Sequence, residues 1–369
     1  MKTHGNKRDA FTLVEMLVAV AILMVILVVL LEVSARVGAL WKSSAGRVTS
    51  FQSARAAFDA VTRSISQATL NTYFDYVDKD GNYRDPANPS NFSPTGFRRA
   101  SELHFLSGSA AALTGNSPAL SPGHAIFFQA PLDLTQDSAL EIVPGLLNAT
   151  GFFIAYAPAS ATGLLPSWLS SKFGNEYQFQ LRHVIQPTEE NQIYETRDGW
   201  GWVADLVDPS KTTPGTLADN IVLLVIRPRL SPQDEIVMGP QLGTGSFDDS
   251  QRGSILCPNY SYNSRAWQTD ASFPLTVTGA NRMEAMRNQI APIVDLAMVA
   301  IDPQSLERLD MKSATPPEVL TPDAGAFTDS AKLDEDLLAF EEKLSAAKIR
   351  FRTFRTSVPV QSSKWSNSF

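Results

Sequence analysis

From Phe11 to Leu31 the chain is apolar at nearly every position, and from Met16 to Leu31 it is apolar without a break. As a helix rising about 1.5 Å per residue, these roughly 21 residues span about 31 Å, the thickness of a bilayer core. One acid, Glu15, sits inside the run. Further on the pattern becomes amphipathic. Phe51, Ala54, Phe58, Val61, Ile65 and Ala68 recur in steps of three and four, which predicts a helical stripe that packs on the domain that follows. Arg47, Arg55, Asp59 and Arg63 fall off that stripe. No proline interrupts residues 11–70, so the pattern predicts one helix of about 60 residues, about 90 Å long.

Residues 71–100 shift to Asn, Asp, Pro, Gly and Tyr, with Asp78-Lys79-Asp80-Gly81-Asn82 at their centre, and predict a long connection. Residues 101–369 then carry strand-like runs at Glu102–Leu106, Ala125–Gln129, Phe152–Ala157, Tyr177–Ile185, Ile221–Arg227, Ile293–Ile301 and Phe351–Val360. Short helices are expected at Arg282–Ile290 and Leu333–Lys348. The second is the clearer, with Leu333, Leu337, Phe340 and Leu344 on one face, acids at its start and lysines at its end. Residues 231–280, rich in Pro, Gly, Ser and Asp, read as inserted loops. The expected class is α+β, a long N-terminal helix on a mostly antiparallel sheet.

With 369 residues, 44% hydrophobic and 19% charged, the chain has the composition of a globular protein beyond its first fifty residues, which excludes disorder throughout. Its net charge is −7, and becomes more negative if residues 1–10 are removed, because Lys2, Lys7 and Arg8 leave with only Asp9. That balance argues against a nucleic-acid-binding body. Cys257 is the only cysteine, so no intramolecular disulfide can form and stability must come from packing. A secretory signal also starts basic and then apolar, but its apolar core is about 7–15 residues and ends at a small-residue cleavage site. Here the run is longer and continues into Glu32 and Arg36. Basic residues stand on both sides of it, so charge bias sets no orientation.

A basic leader, a small residue at Ala10, then Phe11-Thr12-Leu13-Val14-Glu15 and an apolar helix together resemble the type IV prepilin signal. A long helix leading into a β-rich body resembles the pilin fold. The late apolar strand Pro292–Ala300 is similar to one in the larger minor pilins and pseudopilins of the J and W types, and more narrowly the chain resembles the pilin-like Verru_Chthon cassette proteins, member C. The resemblance implies a leader over 1–10, a cut between Ala10 and Phe11 by prepilin peptidase, and N-methylation of Phe11. It implies an N-terminal helix over 11–70 whose first part, about 11–33, makes a single pass through the inner membrane, with the N-terminus cytoplasmic and the body, 101–369, periplasmic. Other pilins or pseudopilins would be the partners, in a type IV pilus or a type II secretion pseudopilus, with Thr12 and Glu15 at the assembly contact. Such a subunit is structural, without enzymatic activity or cofactor. Position 10 departs from the pattern, since the family usually has Gly there. The alternative is a periplasmic binding or enzymatic domain that uses the span as a tether, for which Glu15 would be dispensable.

Glu15 also has a local reading, since Thr12-Leu13-Val14-Glu15 fits a capping box that starts a helix. Asp78, Asp80, Asn82 and Asp85 offer oxygen ligands for a hard cation such as calcium, but their spacing misses that of an EF-hand loop, and a polar turn is the favoured reading, with no metal site expected. His104, His124 and His183 lack a paired zinc spacing and are expected at the core edge or surface. Trp200-Gly201-Trp202 could form an exposed contact surface, although aromatics flanking a strand more often pack. No G-x-S-x-G, H-E-x-x-H, Walker A or Rossmann glycine pattern is present.

Overall fold

A computed structural model describes residues 13–84, 92–159, 176–194, 201–212, 214–242, 248–267, 273–306 and 308–367, without the side chains of 38–45 and 47. The chain divides into two compact units, residues 1–49 and 50–369.

Helix α1 runs Leu13–Ser66. Its first part, Leu13–Val37, is 25 residues long and apolar enough to cross a membrane. Leu17, Ile22, Leu27 and Leu31 are among its many exposed large side chains. So much contiguous apolar surface is unfavourable in water and calls for lipid or neighbouring helices as cover. Glu32 and Arg36 pair at 2.6 Å one turn apart, close to the end of the apolar run.

The last part of α1 belongs to the larger unit. Ala54, Phe58, Val61, Ile65 and Ala68 are buried there and Phe51 packs at the edge, while Arg55 and Asp59 form an exposed pair at 3.1 Å. Phe58 meets Phe354 with ring centroids 5.7 Å apart. The three-and-four spacing therefore does what the pattern predicts: it lays one stripe on the core and leaves the charged side in water.

The segment expected as a plain connection holds a hairpin of its own, β1 (Tyr73–Val77) paired antiparallel with β2 (Gly96–Ala100). Further along come β3 (Leu106–Ser109), α2 (Ala110–Thr114), β4 (His124–Pro131), β5 (Leu147–Pro158) and β6 (Tyr177–Ile185). They are followed by α3 (Gly201–Val207), β7 (Gly215–Asp219), β8 (Ile221–Arg229), α4 (Pro232–Leu242), β9 (Tyr262–Asn263) and α5 (Ala280–Met286). The chain then makes β10 (Ile293–Ile301), α6 (Pro303–Leu306), α7 (Leu333–Ala346) and β11 (Phe351–Pro359). A six-stranded sheet has the order β7-β6-β5-β4-β3-β9 and a three-stranded sheet the order β11-β10-β8, with antiparallel pairing throughout. This is an α+β, pilin-like architecture: a long apolar N-terminal helix followed by antiparallel sheets and short helices. The expected strand at Glu102–Leu106 forms four residues later, and α4 occupies part of what reads as inserted loop.

Strands β4 and β8 are buried along nearly their whole length, which is why they read as continuous apolar runs and not as alternating ones. The sheets close on each other at two points. Asn220, in the left-handed region at φ 61°, is the single residue between β7 and β8; its N–H donates to Phe179 O in one sheet at 2.7 Å and its carbonyl accepts from Ile301 N in the other at 2.9 Å. At Gly123 the backbones approach so closely that a Cβ would stand 2.2 Å from Leu224 O. Only glycine fits there.

Candidate functional site

The chemistry that the sequence singles out lies at the start of α1. Glu15 is exposed in the first turn of that helix, where the amide dipoles favour a carboxylate. Ala10, Phe11 and Thr12, the other three positions expected to matter there, lie outside the described residues. The run beginning at Met16 leaves Glu15 as an acid at the head of a helix that is otherwise apolar to Leu31.

The Asp78 cluster is a closed polar turn. Asp78 Oδ1 accepts from the backbone N–H of Asp80 and of Asn82, both at 2.9 Å, and Oδ2 from Asn82 Nδ2 at 3.3 Å. These bonds, led by the Asn82 amide, hold the carboxyl below its ordinary range. Gly81, at φ 80°, closes the turn by donating to Asp78 O at 3.0 Å. The carboxylate is thus engaged by its own loop. Asp85 lies outside the described residues, and among those described no group of three or more His, Cys, Asp or Glu side chains could hold a metal ion.

His104 and His124 are built into the core, deeper than the expected edge positions, while His183 is half-buried at the edge, as expected. His104 accepts from Trp202 Nε1 on Nδ1 at 3.1 Å and, through Nε2, meets Asn263 Oδ1 at 2.7 Å. A side-chain amide oxygen only accepts, so the proton is on Nε2 and the ring is neutral. His124 is fixed the same way, with Nδ1 accepting from Ile226 N and Nε2 donating to Phe327 O, each at 3.2 Å. His183 stacks on Phe152 at 4.6 Å and donates from Nε2 to Thr150 Oγ1 at 2.9 Å, because that hydroxyl spends its own hydrogen on Val184 O. Burial pushes His104 down to about 3, and His124 and His183 to about 4. Trp202 is fully buried and sits in a helix, α3, and not beside a strand, so it is core. Trp200 lies outside the described residues.

Residues 5–31 match a family model described as the prokaryotic N-terminal methylation motif. That motif on an exposed apolar helix, ahead of antiparallel sheets, supports a precursor similar to type IV pilins or pseudopilins, and the helix fits single-pass membrane anchoring. No curated protein and no solved structure matches the chain.

Proposed function

We propose that this chain is a minor pilin or pseudopilin, cut between Ala10 and Phe11 by prepilin peptidase, methylated on Phe11, and assembled with other pilins through α1 into a membrane-rooted fibre. The observation that carries this reading is the methylation motif over residues 5–31, set on a helix whose apolar surface is left exposed among the described residues. A helix that must leave the bilayer during assembly needs other helices to replace the lipid, and a fibre core supplies them. The N-terminus lies in the cytoplasm and the body in the periplasm. The body's size suits a tip or priming position better than the closely stacked shaft, and its role is structural, not catalytic. The larger J- and W-type minor pilins and pseudopilins, and the Verru_Chthon cassette proteins, serve as models for that role.

The mass of the mature N-terminus tests the proposal. A chain that begins at methylated Phe11 is the expected result, and an intact Met1 in cells with active prepilin peptidase would overturn it. Ala10→Gly should preserve processing. Equal removal of the leader from Ala10→Leu would mean that a different protease is acting.

A further inference from the structure

The three-stranded sheet ends on β11, which among the described residues pairs with β10 on one side only. Its hydrogen-bond phase follows from the two ends of the ladder. Val360 N donates to Pro292 O at 3.0 Å and Asp302 N to Arg350 O at 2.9 Å. Between them the register runs unbroken, from Ile293 opposite Pro359 to Ile301 opposite Phe351. Hydrogen-bonded and non-hydrogen-bonded positions alternate in an antiparallel pair, so Arg352, Phe354, Thr356 and Val358 turn their peptide groups toward β10. Phe351, Thr353, Arg355 and Ser357 turn theirs outward. Among the described residues no hydrogen bond reaches the N–H or C=O of these outward positions. Pro359 falls in the same outward phase, where its missing N–H costs no ladder bond.

Both faces of β11 are held by helices. The end of α1 lies on one face, where Phe58 meets Phe354. Helix α7 lies on the other, where Thr353 Oγ1 donates to Glu341 Oε1 at 2.6 Å and Arg355 Nη2 to Asp334 Oδ1 at 2.5 Å. The strand is thus fixed in its extended form with its outer edge open, a template for one more strand. Charge narrows what that strand is. From Ala347 to Val360 the chain carries Lys348, Arg350, Arg352 and Arg355 and no acid, in a protein of net charge −7. Arg350 and Arg352, two residues apart, are exposed on one face. Arg352 lies over the Phe354 ring at 5.6 Å, and neither guanidinium meets a carboxylate among the described residues. A second copy of β11 would set arginine beside arginine and is repelled. An acidic strand meets the same row with opposite charge.

We propose that an extended acidic segment of another protein adds to the outer edge of β11. Its backbone pairs with Phe351, Thr353, Arg355 and Ser357, and carboxylates two residues apart stand opposite Arg350 and Arg352. The ladder supplies affinity and the arginines select the partner.

The test is fluorescence anisotropy of a labelled octapeptide, Thr-Val-Thr-Val-Thr-Asp-Val-Asp-amide, titrated with the detergent-solubilised full chain. Laid antiparallel with its last residue against Arg350, the peptide sets its third and fifth residues against Arg355 and Thr353. Saturable binding is expected, with slower hydrogen exchange over 351–357. Methylating the backbone nitrogens of those two peptide residues keeps the charge but removes two donors, and should weaken binding roughly tenfold or more. Replacing both aspartates by lysine should abolish binding. Arg352→Glu should weaken the aspartate peptide about threefold and make the lysine peptide bind. Thr353→Pro removes an outward N–H and should weaken binding roughly tenfold. If that variant fails to fold, the N-methylated peptide puts the same question to the unaltered protein. Absence of saturable binding, equal binding of the N-methylated or the lysine peptide, or a dimer of the full chain that Thr353→Pro dissociates would overturn the proposal.

Discussion

Glu15 is the acid in the first turn of a helix apolar enough to cross a membrane. An ionised acid within hydrocarbon costs about 2.5–3.5 kcal/mol for Asp on insertion scales, so it needs a cation. A cut after Ala10 creates one on Phe11, because a free α-amine with a pKa of about 7.7–8.0 is mostly charged at neutral pH. Glu15→Ala should therefore leave membrane insertion and cleavage intact and reduce cross-linking to partner pilins, with Glu15→Asp intermediate. Normal cross-linking in Glu15→Ala would leave helix capping as the better account of this residue. The three histidines of the body make a second prediction. Their folded pKa values lie near 3 to 4 against an ordinary value of 6.5, so the unfolded chain binds more protons between those limits and stability falls as pH is lowered through that window. The midpoint of urea unfolding should be flat above about pH 7 and decline from about 6.5 toward 4. His183→Gln, which keeps a donor for Thr150, should make that decline shallower; an unchanged slope would assign it to carboxylates alone.

At the scale of the element, the second part of α1 is held by its stripe and not by its charges. Phe58 and Ile65 are buried, with exposures of 5% and 0%, and Phe58 packs against Phe354 of β11. Truncating a buried phenylalanine removes transfer energy and leaves a cavity, so Phe58→Ala should cost about 3–5 kcal/mol. Arg55→Ala breaks an exposed pair and should cost about 0–1 kcal/mol. Urea titration of the two variants side by side checks both. Similar losses would mean that the stripe is not what attaches this helix. Helix α7 follows the same logic: Leu333, Leu337, Phe340 and Leu344 are buried, while Lys343 leaves the face to reach Thr321 O at 2.9 Å and Asp323 Oδ1 at 2.6 Å.

For the molecule as a whole, the compact unit Ser50–Phe369 includes the buried end of α1. This fragment should fold and melt cooperatively without the membrane span. A fragment that starts at Asn71 lacks Phe58, Val61 and Ile65 and should lose cooperativity or precipitate, because the core beneath them would open to water. Circular dichroism melts of the two fragments decide this, and equal melting would show that the helix adds nothing to the body.

The apolar run to Leu31, the stripe from Ala54 to Ala68 and most strands were legible in the sequence, because each leaves a local period or an unbroken apolar stretch. The methylation motif was legible for the same reason: its residues are contiguous. The hairpin of β1 and β2 was hidden in a polar stretch, where Asp78 and Gly81 advertise a turn but the partner strand lies some twenty residues on. Tertiary structure alone decided that β7 and β8, one residue apart, enter different sheets, and that His104 meets Trp202 and Asn263. It also decided that Arg227 and Arg229 meet on Asp295, an acid that in sequence only interrupts an apolar strand. Such contacts form between residues far apart in the chain, and nothing in either local segment encodes the register that brings them together.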